Sequence, residues 1–75
     1  MDVSELLELL KKDRNAAIAR ERECRKNAKT CEKVGDYKMA LRWEQEYDSA
    51  WIIADDLKRT ITVIENALAH LEKGE

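Results

Sequence analysis

Proline and phenylalanine are absent from these 75 residues, glycine occurs twice and histidine once, and no long apolar run is present. Without proline and with so little glycine, almost nothing in the chain opposes a helix. The absence of an apolar stretch of about 18–20 residues excludes a membrane-spanning helix. The opening Met1-Asp2-Val3-Ser4-Glu5 lacks the basic n-region of a signal peptide, so the reading is a cytoplasmic protein. One histidine, His70, and two cysteines leave no zinc-ligand pattern. Cys24 and Cys31 lie seven apart on one expected helix, about 10.5 Å along its axis. That exceeds the roughly 7 Å limit for a disulfide, so both read as reduced, small core residues.

Catalytic signals are also missing. There is no glycine-rich phosphate loop, and no Ser or Cys falls beside a His to form a nucleophile–base pair. Glu44, Glu46, Asp48, Asp55 and Asp56 are spread around a helix with no cleft to perturb them. The expectation is a protein without enzymatic activity, cofactor or metal. A net charge of −2 argues for neither nucleic acid nor membrane by itself.

What remains is helix-forming sequence. Charged residues make up 40% and apolar residues 44%, a composition typical of long helices and coiled coils. The single interruption is Val34-Gly35-Asp36: glycine suits the position just past a helix end, and aspartate suits the N-cap of the next helix. The fold expected is therefore all-α, one helical domain over residues 1–75. It comprises a helix over about 3–33, a turn at 34–36 and a helix over about 37–73, folded into a long antiparallel hairpin. Asp2, with Glu5 three residues on, caps the first helix. Its apolar stripe is Val3, Leu7, Leu10, Ala17, Cys24, Ala28 and Cys31, interrupted by Arg14 and Glu21. Residues 13–15 are where this helix would break to leave a short additional N-terminal helix. The second stripe is Ala40, Trp43, Tyr47, Ala50, Ala54, Leu57, Ile61, Ile64, Leu68 and Leu71, with Gly74 as the stop.

A hairpin turning at Gly35 sets residue i beside about residue 70 − i. Ala28 then meets Trp43, Cys24 meets Tyr47 and Ala19 meets Trp51, small against large, as a filled seam requires. The basic stretch Arg20–Lys33 falls alongside the acidic stretch Glu44–Asp56. The turn resembles the helix–turn–helix step of tetratricopeptide repeats in Gly35-Asp36-Tyr37, Ala40 and Leu41, with Ala28 at that family's small-residue site. Glu44 and Tyr47 depart from the pattern and no second copy follows, so the resemblance implies shared hairpin geometry.

Two helices cannot enclose a core, so a homodimeric four-helix bundle or larger helical oligomer is expected. Trp43, Tyr47, Trp51, Ile53, Leu57, Ile61, Ile64 and Leu68 are the candidate oligomer interface. Leu41, Ile52 and Val63, eleven apart, form a second stripe that is the candidate partner-binding row. Arg22, Lys26, Lys29 and Lys33, flanked by Arg25, line one face of the first helix as a candidate nucleic-acid or anion site. In architecture alone, the expected hairpin dimer resembles plasmid copy-number regulators that bind paired RNA loops.

The functional expectation is a non-catalytic, oligomeric interaction protein that binds or inhibits another macromolecule, a type common among phage and mobile-element accessory factors. RNA or DNA binding through the first helix is the alternative. A third reading is capture of a small anionic ligand between subunits by Arg14, Arg20 and Arg22.

Overall fold

A computed structural model describes residues 1–73 and contains two helices in contact, α1 (Val3–Lys33) and α2 (Tyr37–Glu72), joined by a three-residue turn. The chain is all-helical among the described residues and folds as the hairpin the turn residues predict. Gly74 lies outside the described residues.

Both helices start on aspartate. The Asp2 carboxylate accepts from the Glu5 N–H at 2.9 Å, and that of Asp36 accepts from the Met39 N–H at 3.2 Å. Each satisfies one of the orphan donors of a first helical turn. At the turn, the Gly35 N–H donates to the Glu32 carbonyl at 3.1 Å and the Asp36 N–H to that of Cys31 at 2.9 Å. This pair of bonds is a Schellman closure, and it requires left-handed backbone at Gly35, whose φ is +80°. Asp36 thus closes α1 with its N–H and opens α2 with its side chain. Gly35→Ala meets no atom within 4 Å of the added Cβ, so its cost is the backbone term alone, about 1–2 kcal/mol. A chemical denaturation midpoint that did not fall would show that the turn can re-form without φ > 0.

α1 runs unbroken through residues 13–15, so the additional N-terminal helix is not formed. Asp13, Arg14 and Asn15 are weak or moderate helix formers, but none lacks an N–H or adds left-handed backbone, and the seam on either side holds the helix straight through. The Arg14 Nε donates locally to the Asn15 side chain at 3.2 Å.

The buried residues are Cys24 and Ala28 on α1 and Ala40, Ala50, Ala54 and Ile61 on α2. Leu7, Leu10, Ala17, Cys31, Trp43, Tyr47, Leu57, Ile64 and Leu68 are half-buried along the same line. Arg14 and Glu21 are half-buried too, laying their aliphatic stems in the seam while the charged ends reach water. Lys11 and Glu65, 3.0 Å apart, and Arg20 and Glu46, 3.8 Å apart, link the arms across the seam.

One expected pairing and one expected stripe member do not join the seam. Ala19 is exposed and Trp51 is 49% exposed, so they do not meet in the core. The half-buried residues at that level of α1 are Ala17 and Ile18. Leu71 is 70% exposed because α2 is the longer arm and its last turn overhangs the start of α1. The result is a rod of 60 × 18 × 13 Å with a radius of gyration of 17.2 Å, against about 11 Å for a compact domain of this length.

Candidate interaction surfaces

Helices packed along a seam of alternating three- and four-residue spacings repeat every seven residues, so each arm has a seam, two flanks and a back. One flank is formed by Leu6, Asp13 and Arg20 on α1 and Met39, Glu46 and Ile53 on α2, each set seven residues apart. Two open grooves lie on it. The first is lined by Arg20, Met39, Arg42, Trp43 and Glu46. The second, of about 540 Å³, is lined by Asp13, Ala16, Ala17, Arg20, Ala50, Ile53, Asp56 and Leu57. Arg20 belongs to both, so the two grooves adjoin along one side of the rod. Its guanidinium carbon lies 5.5 Å from the Trp43 ring centroid, a cation–π contact that shields one face of the indole.

The opposite flank, which also carries the half-exposed Trp51, has a more polar groove near the turn. The Arg25 Nη donates to the Tyr47 hydroxyl at 2.9 Å, and its guanidinium carbon lies 4.8 Å from that ring's centroid. Arg25, Ala28, Lys29, Glu32, Glu44 and Tyr47 line the groove there. Arg25, which flanks the basic row, is thereby also engaged with an aromatic partner.

The candidate oligomer residues therefore divide. Ile61 is 3% exposed within the hairpin itself. Trp43, Tyr47, Leu57, Ile64 and Leu68 are half-buried in it, each with part of its surface open. Trp51 and Ile53 are about half exposed. They stand two residues apart, about 200° around the helix, so they flank the seam on opposite edges, and Ile53 alone lines the apolar groove. Leu6 and Leu9, at 39% and 46% exposed, extend the apolar flank on α1 and escape a reading based on seam positions. The signal for Leu6 was its seven-residue spacing from Asp13 and Arg20.

Leu41, Ile52 and Val63 are 57%, 55% and 67% exposed on the back of α2. Val63 borders a dimple with Lys58, Arg59 and Thr62. Arg22, Lys26, Lys29 and Lys33 are all exposed. None belongs to an ion pair among the described residues, although Lys29 shares its groove with Glu32 and Glu44. Within one chain Arg14, Arg20 and Arg22 occupy different sides of the hairpin: Arg14 is half-buried at the seam, Arg20 leans on Trp43 and Arg22 is exposed on α1. Among the described residues no group of three His, Cys, Asp or Glu is placed to hold a metal ion, and no helix is long and apolar enough to cross a membrane.

No protein-family profile matches the chain, and no curated protein or solved structure shows significant similarity to it.

Proposed function

We propose that the chain is a non-catalytic helical interaction protein that works as a homo-oligomer and offers its outer surfaces to another macromolecule. The observation carrying this reading is the mismatch between core and surface. Among the described residues, four of the six that are buried are alanine, and Ile61 is the one large aliphatic among them. Meanwhile Leu6, Leu9, Met39, Leu41, Trp51, Ile52, Ile53 and Val63 each expose more than a third of their surface. The accessible surface is 5956 Å², while a compact monomer of 8.7 kDa exposes about 4,700 Å². The surplus of roughly 1,200 Å² exceeds the approximately 800 Å² that each partner covers in a standard interface. Open grooves in place of an enclosed cavity favour a docking role over catalysis.

Self-association couples folding to concentration. Thermal unfolding followed by circular dichroism from about 2 to 200 μM should show the midpoint rising with each dilution step reversed, by mass action. A midpoint independent of concentration would remove the oligomeric part of the reading.

One observation favours a second reading: the row of Arg22, Lys26, Lys29 and Lys33, without an ion pair among the described residues, spans about 16 Å of helix and suits a phosphate backbone. Binding to a short RNA or DNA duplex that weakens steeply with salt would favour it. Association insensitive to salt would favour the apolar interface.

A further inference from the structure

We propose that the apolar flank is the self-association face, and that a second copy of this chain covers it in an antiparallel, two-fold arrangement centred beside Ile53. This rests on the self-association reading above and specifies its geometry.

The groove holds both halves of a self-complementary contact. Ala16, Ala17 and Ala50 make a floor of small side chains, and Ile53, 54% exposed, is a branched knob at its edge. A two-fold interface brings the same patch of each subunit together, so a knob and a hole that adjoin each other are both satisfied by one contact.

The position of the axis follows from charge. Ile53 and Ala17 lie midway along the rod, at the same level in the hairpin register. Asp13 and Asp56 lie about one helical turn from them toward the open end, and Arg20 about one turn toward the Gly35 turn. All three charged residues line the groove. An axis at Ile53 with the hairpins antiparallel places Asp13 and Asp56 opposite the partner's Arg20, and the reciprocal pair forms on the other side of the axis. A parallel arrangement would stack the aspartates on each other and the arginines on each other.

The same axis sets sizes against one another. Leu57 falls opposite the partner's Ala50, Trp43 opposite Leu6 and Ile64, and Met39 opposite Ala67. Because the axis lies at the middle of the rod, the overlap runs almost its full 60 Å length. Asp13 and Asp56 have no ion-pair partner among the described residues. Arg20 has one, Glu46 at 3.8 Å with both side chains half exposed. Such a pair contributes about 0–1 kcal/mol, so the guanidinium can swing to a new carboxylate at little cost.

A charge-swap experiment tests the arrangement on the full chain by sedimentation velocity, with circular dichroism reporting helicity. Arg20→Glu alone, and Asp13→Arg combined with Asp56→Arg, should each weaken self-association by about tenfold or more, through like charges facing across the axis. An equimolar mixture of the two variants should restore assembly as a heterodimer. In case either set perturbs the hairpin, Ile53→Glu and Trp51→Glu change exposed residues on opposite edges. The first should dissociate the dimer and the second should leave it intact. Failure of the mixture to recover from two helical, dissociated variants would overturn the antiparallel charge pairing. Dissociation by Trp51→Glu with persistence of the Ile53→Glu dimer would place the interface on the other flank. A monomeric wild type, by contrast, would remove the underlying self-association reading itself.

Discussion

Ile61→Ala should lower the free energy of unfolding by about 2–5 kcal/mol, the range for removing a buried aliphatic and leaving a cavity. The site justifies the upper part of that range. Ile61 is 3% exposed and is the one large aliphatic among the buried residues, the others being alanines and a cysteine. Leu7, Leu10, Leu57 and Ile64, the seam residues of the open half of the hairpin, are all half-buried. For a chain of this size total stability is on the order of 4–11 kcal/mol, so the loss is a large fraction of the whole. Urea unfolding at fixed protein concentration checks it. A change below about 1 kcal/mol, in the range of surface substitutions, would show that Ile61 does not carry the seam.

Ala28→Trp should destabilise by about 1–3 kcal/mol or more through overpacking. Ala28 is 5% exposed and lines a groove with Tyr47, whose ring is held in place by the Arg25 guanidinium above it. A large ring at residue 28 must displace Tyr47 or separate the arms, and either loses the hydrogen bond from Arg25 to the Tyr47 hydroxyl. Unchanged thermal stability in this variant would mean that Ala28 does not face a filled seam. A rise in stability would mean that the groove is a void the protein leaves open.

The turn was legible because its chemistry is local. Gly35 and Asp36 each have one conformational task, and both tasks fall at the same three residues. The buried line of α2 was legible for a similar reason, since Ala40, Trp43, Tyr47, Ala50, Ala54, Leu57, Ile61, Ile64 and Leu68 keep one period across the helix. Its last member, Leu71, fell away because seam residues are buried only where the other arm is present. The Ala19–Trp51 pairing failed because level along the rod was taken without rotation about each helix. Two residues can share a level and still point away from each other. Trp51 and Ile53, both candidate interface residues, are likewise separated by about 200° around the helix. Arg14 and Glu21 looked like defects in the α1 stripe, yet long amphipathic side chains fill half-buried positions without exposing the backbone. The lateral flank was the least legible feature, because Leu6, Asp13, Arg20 and Ile53 become one surface only when two helices are packed together.

Sedimentation equilibrium of the unmodified protein at low micromolar concentration tests the central claim most directly. The account predicts a folded helical species at twice the 8.7 kDa chain mass or a higher multiple, because the hairpin alone leaves its apolar flank in water. A stable, fully helical species at the mass of one chain would contradict it.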